Sequence, residues 1–316
     1  MENLFNDSTN KTPIIIVISP GADPMSEIEA FSSKKKIQFE QLSLGKGQGK
    51  KAVDAIKRAQ TEQTRDGTVG TWIVLQNCHL AVSFMPTLDR ILEEINLQAD
   101  STFRLWLTTE PSDKFPVTIV QNGIKATSEP PKGLRANMLK SYNSITNQEF
   151  EKCEKPIAFR RLLWGLCFFN AVILERRKFG PLGWNISYSF SASDFRISTL
   201  QLINFLNDYD EVPFDALIYM VAEANYGGRV TDTHDRITID VILRDFYNEK
   251  MINEENHKLC ESGKYYVPSD GQREDYIKFI EDKIPINDLT EIFGMHDNAE
   301  ITSAINQTNE MLDTAL

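Results

Sequence analysis

The sequence predicts an α/β domain with a mostly parallel sheet, followed by a helical domain. Short β-branched runs alternate with helical patterns over the first 130 residues, and no strand run of similar length follows Pro130-Pro131-Lys132-Gly133. The stretch 157–177 is apolar around nearly its whole helical circumference. Alternating strands and helices form parallel sheets with helices on both faces, and an all-round apolar helix is a central one. At roughly 150 residues per domain, 316 residues make about two domains.

About five strands are predicted in the first domain. Residues 14–18, Ile-Ile-Ile-Val-Ile, form a continuous β-branched run of the kind that is buried on both faces of a parallel sheet. Asp23 is expected to cap the following helix, because Pro24 suits the first helical position. The remaining strands are expected at 37–44, 71–76, 103–108 and 124–127, and the helices between them at 24–32, 50–65 and 86–97.

The second half is predicted to be helical. Helices are expected at 157–177, at 194–207 with Ser193 as its cap, at 213–224 and at 232–247, with two more at 272–283 and 299–312. The apolar density of the last part looks too low for it to fold alone. We therefore expect an α/β subdomain at 1–140, a helical subdomain at 141–260 and a short mixed fragment at 261–316.

Charge and composition exclude several classes of partner. Lys and Arg number 34 against 45 Asp and Glu, a net charge of −11, so we expect no nucleic acid and no membrane surface as partner. No apolar run approaches the roughly 20 residues of a membrane span, and the polar start of the chain is unlike a signal peptide. The four cysteines fit a reducing compartment and lack zinc-ligand spacing. The expectation is a soluble intracellular protein without a metal site.

An α/β domain followed by a small helical domain resembles the plan of AAA+ ATPase modules, so a phosphate-binding loop is the first feature to test. Such a loop needs a glycine-rich turn after the first strand, a Lys that reaches the terminal phosphates, and a Ser or Thr for Mg²⁺. Here the first strand is followed by Ser19, Pro20, Gly21, Ala22 and Asp23. The segment lacks a Lys, proline removes backbone donors, and Asp23 would repel phosphate. We predict a degenerate nucleotide pocket.

The end of the third strand leads to the same conclusion. An ATPase has an acidic pair there, which binds Mg²⁺ and activates water, whereas this strand ends in Gln76 and Asn77. Cys78 and His79 follow, but neighbouring side chains diverge, so we expect a buried Cys beside a capping or core His. The spacing of Glu110 and the other nearby carboxylates in the sequence does not predict an acid–base pair. We predict no catalytic residue and no bound cofactor in this segment.

A glycine-rich basic loop, residues 45–51, is the feature most similar to a phosphate cradle. Gly45, Gly47 and Gly49 precede a predicted helix that begins near Lys50 and Lys51, and helix N-termini attract anions. Against this, Lys51 stands where Ser or Thr should follow the Lys, and the loop follows the second strand. A flexible, solvated turn is the other interpretation, and both remain open.

Seven long motifs together resemble the C-terminal part of an axonemal dynein heavy chain. Among them are GTWIVLQNCHLA at 70–81 and VPFDALIYMVAEANYGGRVTDTHDR at 212–236. The others lie at 12–24, 103–125, 129–142, 162–186 and 293–302. The resemblance covers the chain from about residue 12 to the end. It implies the sixth AAA+ module of the motor ring, with 1–140 as large subdomain, 141–260 as helical lid and 261–316 as the start of the C-terminal domain.

The resemblance also implies a function. In this family the sixth module does not hydrolyse nucleotide; ATP and Mg²⁺ are bound by other modules of the chain. The implied partners are neighbouring AAA+ modules, the linker, the C-terminal domain, other dynein subunits and, through the rest of the chain, the microtubule. The implied location is the cytoskeleton of the ciliary or flagellar axoneme. The competing hypotheses are a regulatory module that binds nucleotide through residues 45–51 and a free-standing binding domain.

Arg229 is the lid residue that the resemblance singles out. In AAA+ modules an Arg of the lid can sense the γ-phosphate, and Arg229, or with less support Arg236, occupies that part of this sequence. Without nucleotide, Arg229 would be a relic or a structural donor. The alternative is an ordinary turn arginine after Gly227 and Gly228.

Overall fold

A computed structural model describes residues 1–19, 22, 24–45, 47–61, 71–95 and 101–315. The chain forms two compact units, Met1–Pro130 and Pro131–Leu316. The division falls within the predicted Pro-Pro-Lys-Gly break. The finer partition at 140 and 260 stays a prediction.

The first unit contains the predicted parallel sheet. Its order is β2-β3-β4-β1-β5, and each neighbouring pair is parallel. The strands are β1 (Ile14–Ile18), β2 (Phe39–Ser43), β3 (Trp72–Gln76), β4 (Arg104–Thr109) and β5 (Ile124–Ser128). All five strands were predicted to within two residues at each end. The fold class is confirmed.

Helices cover both faces of this sheet. They are α1 (Glu2–Asp7), α2 (Pro24–Lys35), α3 (Gly49–Thr61), α4 (Met85–Glu94) and α5 (Val117–Asn122). On one face, apolar residues of α3 and α4 pack with Ile73 and Leu105, and on the other Ile28 and Phe31 pack with Ile14. Alternate strand residues thus enter opposite cores, as the pleat requires. The predicted cap Asp23 and the predicted helix ends at 62–65 and 96–97 lie outside the described residues.

The N-terminal helix α1 was missed because its sequence is short and polar. Phe5 inserts its ring beside Trp72 and Phe31, with ring centroids 5.3 and 5.8 Å away. Arg104, at the start of β4, lies over the Phe5 ring at 4.7 Å and donates to Ser8 Oγ at 3.0 Å. Phe5 and Arg104 therefore help attach this segment to the sheet, and Met1 and Leu4 pack against the same core.

The second unit is helical. Its helices are α6 (Leu134–Asn143), α7 (Asn147–Glu151), α8 (Pro156–Glu175), α9 (Ala192–Asp208), α10 (Phe214–Ile218), α11 (Thr233–Phe246), α12 (Glu249–Asn253), α13 (Arg273–Lys283) and α14 (Asn298–Ala315). A 3₁₀ segment, Arg176–Leu182, follows α8, and a π-helix, Tyr219–Tyr226, continues α10. The predicted all-α character is confirmed. The helices α6, α7 and α12 were not predicted.

Helix α8 is the centre of this unit, as predicted. Fourteen of its 20 residues are buried, and α6, α9, α11 and α12 pack around it. The stretch Pro156–Leu182 is long and apolar enough to cross a membrane by length and composition, yet 78% of its apolar window is buried in the unit. This apolar stretch is longer than was expected from the sequence. Its burial is that of a core helix.

Two local predictions in this unit were wrong. The cap of α9 is Ser191 and not Ser193, because Ser191 and Asp194 form a reciprocal capping box. The helix predicted at 213–224 becomes a π-helix after Ile218. Gly227 follows the π-helix. A Cβ on Gly227 would lie 2.2 Å from the Ala222 carbonyl oxygen, so only glycine fits there.

The last part of the chain shares the core of the second unit. Tyr265, Tyr276, Ile280 and Phe293 are almost completely buried among residues of α6 and α8. Tyr276 stacks on Tyr142 with a centroid distance of 5.8 Å. This part of the chain can therefore fold despite its low apolar density, because its few large side chains pack into the core formed around α8.

Candidate functional site

The carboxyl ends of the parallel strands are where an α/β sheet binds ligands. At the end of β1, the Ser19 amide donates to the Ser128 carbonyl at 3.0 Å, and the Ala22 amide donates to the Ser19 carbonyl at 3.0 Å. Ser19 therefore continues the pairing of β1 with β5 before the chain turns. Pro20, Gly21 and Asp23 of the predicted degenerate pocket lie outside the described residues.

The end of β3 carries two amides that hydrogen-bond to neighbouring strands. Gln76 Nε2 donates to Gln41 Oε1, and Asn77 Nδ2 donates to Ser43 Oγ, both at 3.3 Å. The backbone amide of Asn77 donates to Thr108 Oγ1 at 3.3 Å. The backbone of Asn77 is in the left-handed region, with φ at 57°. Asparagine tolerates this conformation better than most residues. The two neutral side chains thus tie β3 to β2, the Asn77 backbone amide ties it to β4, and neither side chain supplies a negative charge for Mg²⁺.

His79 joins the ends of β3 and β4. Its Nδ1 accepts the Glu110 amide at 3.0 Å, and its Nε2 lies 3.8 Å from Glu110 Oε2. Because Nδ1 is an acceptor, the proton of the neutral ring is on Nε2, towards the Glu110 carboxylate. Sequence reasoning missed this pair, since 31 positions separate its members. A cavity of about 490 Å³ adjoins His79 and is lined also by Val82 and by Pro111, Ser112, Asp113 and Lys114.

Cys78 faces away from His79 and is inert. Its thiol is buried and donates to the Leu75 carbonyl at 3.4 Å. Burial raises the pKa of this thiol to about 12, so almost no thiolate exists near neutral pH. The two neighbours therefore do not form a nucleophile–base pair, in agreement with the sequence analysis.

The glycine-rich loop borders a second cavity, of about 410 Å³. Gly45, Gly47, Gly49 and Lys50 line it, whereas Lys51 is exposed and is not part of the lining. The rest of the lining is mainly apolar and consists of Val53, Leu80, Ala81, Ser83, Phe84 and Thr87. A Cβ at Gly49 would lie 2.8 Å from the Phe84 ring, so glycine permits the close approach of this aromatic side chain. The structure thus brings four of the five predicted loop residues to one cavity.

Arg229 is bound within the second unit. Its Nε lies 3.0 Å from Asp194 Oδ2, and its Nη2 donates to Ser191 Oγ at 3.1 Å. Asp194 is nearly completely buried at the start of α9. Arg236 lies 3.7 Å from Glu223 and donates to the Val230 carbonyl at 3.2 Å. Both candidate sensor arginines therefore donate to acceptors within the second unit.

Among the described residues, no three His, Cys, Asp or Glu side chains come together as a metal-binding group. The sequence expectation of no metal stays a prediction.

Comparison with known proteins identifies both units. The model of the Dynein heavy chain region D6 P-loop domain matches residues 9–127, and that of the Dynein heavy chain AAA lid domain matches residues 159–299. These ranges lie within the first and the second compact unit, respectively.

Several curated proteins match the chain over almost its whole length. Human Dynein axonemal heavy chain 12 is 48% identical over 99% of this chain and 10% of its own length. Human Dynein axonemal heavy chain 3 is 47% identical over 100% of this chain and 8% of its own. Mouse Dynein axonemal heavy chain 1 is 46% identical over 99% of this chain and 7% of its own. The chain thus spans at most about a tenth of these relatives. With both units matched, this chain belongs to the dynein heavy chain family, as a D6 P-loop domain followed by an AAA lid domain.

Proposed function

We propose that this chain is a non-catalytic module of an axonemal dynein heavy chain, which closes the motor ring and transmits motions produced by nucleotide elsewhere. Its activity would be mechanical: each unit would pack against neighbouring modules and pass rotations to the linker and to the microtubule-binding part of the motor. Its partners would be neighbouring AAA+ modules, the linker, the C-terminal domain and other dynein subunits. It would work in the cytoskeleton of cilia or flagella.

The single observation that carries this proposal is the chemistry at the end of β3. Gln76 and Asn77 stand where hydrolysis needs carboxylates, and both amides hydrogen-bond to side chains of β2. An amide cannot neutralise Mg²⁺ or accept a proton from water at neutral pH. The side chains at this position therefore serve to hold strands together.

Two further observations support the proposal. The segment after β1, residues 19–26, contains no Lys to reach a terminal phosphate. Glu110, the carboxylate that follows β4, has its backbone amide and its side chain directed to His79. We propose accordingly that ATP and Mg²⁺ are bound by other modules of the parent chain, and that this segment binds no cofactor.

The test is titration of the 316-residue protein with Mg·ATP by calorimetry, together with a phosphate-release assay. We expect no saturable binding and no turnover above background. As a matched control, Gln76→Glu with Asn77→Asp restores carboxylates at the end of β3 without supplying a Lys, and we expect it to bind Mg²⁺ alone more tightly. Turnover by the natural sequence that is lost in Gln76→Ala would contradict the proposal.

A second candidate function is a regulatory module that binds nucleotide at the glycine-rich loop. The cavity lined by Gly45, Gly47, Gly49 and Lys50 favours it, because this loop precedes α3 and helix N-termini attract phosphate. This function predicts that Lys50→Ala abolishes binding of ADP, while Lys57→Ala, on the same helix, leaves it unchanged. Equal ADP binding by the two variants would remove this candidate.

A further inference from the structure

Strand β2 forms one edge of the parallel sheet. In the order β2-β3-β4-β1-β5, no described strand lies on its outer side. The backbone groups of alternate residues in a parallel strand point to opposite sides. The Gln38 carbonyl and the Leu44 amide bond to β3, so the backbone groups of Phe39, Gln41 and Ser43 point outward. β2 thus presents a row of N–H donors and C=O acceptors on its outer side.

The strand itself carries none of the usual guards of an exposed edge. Natural edge strands often carry Lys or Pro, which keep another strand from pairing with them. β2, Phe39–Ser43, contains neither residue type. Its one charged residue, Glu40, accepts a hydrogen bond from Arg58 Nη2 of helix α3 at 3.0 Å. As far as the described residues extend, the outer side of β2 is therefore open to a further strand.

Cations lie at both ends of this edge. Residues 34–58 contain eight Lys and Arg but only two Asp and Glu, in a chain whose net charge is −11. Lys36 precedes β2, and Lys50 and Lys51 follow it at the start of α3. All three side chains are exposed and form no ion pair with another described residue. The edge is therefore electropositive within an acidic protein. We call the outer side of β2 together with these three lysines the basic edge.

Backbone groups and charge together select an extended acidic peptide. An extended peptide can add to a sheet edge through main-chain hydrogen bonds, and the cations at the two ends attract carboxylates. At roughly 3.3 Å per residue, β2 is about 17 Å long. An added strand of similar length would place its flanking acids beside Lys36 at one end and beside Lys50 and Lys51 at the other.

Other occupants fit the basic edge less well. A second copy of this chain, paired antiparallel through the same edge, would bring Lys36 against Lys50 and Lys51, and like charges repel. A nucleic-acid backbone or an anionic membrane offers phosphate acceptors but no row of N–H donors for the outward carbonyl groups. A run of acids repels itself and stays disordered, so an extended acidic segment is typical of a tail and not of a folded module.

We propose that the basic edge binds the disordered acidic tail of a separate protein. The tail adds to the sheet as a strand beside β2, and its acids pair with Lys36, Lys50 and Lys51. This inference goes beyond the proposed function, because it holds whether or not the module binds or hydrolyses nucleotide. Lys51 separates it from the nucleotide candidate as well, since Lys51 belongs to the basic edge but does not line the cavity beside the glycine-rich loop.

A first experiment tests the charge of the basic edge with designed peptides. Two labelled peptides share the central sequence Thr-Val-Thr-Val-Thr and carry three Glu or three Lys at each end. Binding to the 316-residue protein is measured by fluorescence anisotropy. We expect the Glu peptide to bind at least tenfold more tightly than the Lys peptide, and Lys36→Glu with Lys51→Glu to weaken its binding at least tenfold. Lys140→Glu with Lys278→Glu, the same charge change at exposed positions of the second unit, should leave it unchanged.

A second experiment tests the addition of a strand. N-methylation of two adjacent central residues of the Glu peptide blocks pairing along both of its edges and keeps its charge. We expect this peptide to bind at least tenfold more weakly than the unmethylated one. On the protein, Gln41→Pro removes an outward N–H and should weaken binding by as much. Gln41→Val is the matched control, because it loses the same side-chain contact with Gln76 but keeps the N–H, and it should bind like the natural sequence.

A third experiment tests the source of the tail in the full heavy chain. A photoreactive phenylalanine replaces Gln41 or, as control, Lys278, and the cross-linked peptides are identified by mass spectrometry. We expect position 41, and not 278, to capture a run of Asp and Glu from another polypeptide, and excess Glu peptide to prevent the capture.

Each experiment has an outcome that overturns the proposal. Equal binding of the Glu and Lys peptides would remove the charge argument, and equal binding of the methylated and unmethylated peptides would show that no strand is added. Capture of a segment of the same heavy chain, of nucleic acid or of lipid would assign the basic edge to a different occupant. Thermal unfolding shows whether each variant is folded, and the comparison of methylated with unmethylated peptide needs no variant at all.

Discussion

The Asp288 carboxylate accepts the backbone amide of Leu134, with distances of 3.1 Å to Oδ1 and 3.3 Å to Oδ2, across 154 positions of sequence. Leu134 begins α6, and its N-cap Gly133 has no side chain to cap it. Asp288 also lies 3.0 Å from Lys178 Nζ and is 3% exposed in its side chain. A residue near the end of the chain thus caps the first helix of the second unit.

Replacing Asp288 with Asn should destabilise the second unit. The change removes a charge from a helix N-terminus and leaves the Lys178 ammonium without its closest buried partner. We expect a loss of about 3 kcal/mol in the free energy of unfolding, the lower end for breaking a buried ion pair. Urea unfolding followed by circular dichroism measures it. Asp215→Asn, whose carboxylate is fully exposed beside Arg244, is the matched control and should leave the unfolding midpoint unchanged.

A double-mutant cycle separates the ion pair from the helix cap. Lys178→Met removes the cation, so a following Asp288→Asn change then costs only the cap. We expect the double variant to be more stable than the sum of the single effects by about 1 kcal/mol or more, because contacting charges couple by such amounts. Strict additivity would show that Asp288 acts through the Leu134 amide alone.

Glu175 makes the stability of the second unit depend on pH. Burial raises the pKa of its carboxyl, against the opposing effects of Lys178 and of Asn137, which donates to it at 2.7 Å. A raised folded-state pKa means that the folded state binds the proton more tightly, so this contribution to stability is present below the unfolded pKa and is lost as pH rises through the folded pKa. Glu175→Gln mimics the protonated carboxyl at all pH values.

We therefore expect Glu175→Gln and the natural sequence to have equal unfolding midpoints near pH 4, with the variant becoming the more stable one as pH rises to 7. Urea midpoints measured on both proteins across this range give the difference directly. Contributions of other carboxylates cancel in this comparison. A variant that is less stable at pH 7 than at pH 4, relative to the natural sequence, would show that the Lys178 contact outweighs burial.

The strands were predicted correctly because a run of β-branched or apolar residues identifies a strand without reference to its neighbours in the sheet. The β-branched run of β1 and the apolar core of β3 are readable without any partner, and the described strand ends fall within two residues of the expected ones. The π-helix at Tyr219–Tyr226 has the same composition as an α-helix. Its register depends on contacts such as Asn225 Nδ2 to Gln201 Oε1, at 2.7 Å, which join residues far apart in sequence.

The sequence allowed the residues of the candidate site to be named, but not the contacts that they make. Gln76 and Asn77 were identified from their position after a strand, but their partners on β2 follow from sheet order, which periodicity alone does not provide. The pairing of His79 with Glu110 likewise requires that β3 and β4 be neighbours. Arg229 was singled out after two glycines, and its partner Asp194 belongs to a helix whose cap was misassigned.

Solvent access to the cysteine thiols provides a fourth prediction. Cys78, Cys153 and Cys167 are buried, whereas Cys260 is partly exposed. Burial raises the pKa of the thiols of Cys78, Cys153 and Cys167, and the thiolate is the reactive form. At pH 8, Ellman's reagent should therefore react rapidly with Cys260 and with the other three only after unfolding in guanidinium. Cys260→Ser should abolish the rapid phase; a rapid phase that persists would indicate local opening around another cysteine.

Gly165 is a residue of the core helix α8 and lies against the end of α11. A Cβ there would lie 2.6 Å from the Phe246 carbonyl oxygen and 3.1 Å from Met251 Cε. The side chain of Met251 can move, but the carbonyl belongs to the end of α11, so Gly165→Ala must separate two helices. We expect a loss of about 1–3 kcal/mol in the free energy of unfolding, as for other overpacked cores. Gly228→Ala is the matched control, because nothing lies within 4 Å of its Cβ position, and it should change the same quantity by no more than about 0.5 kcal/mol. Urea unfolding of both variants compares them, and equal stabilities would mean that α11 shifts without loss of packing.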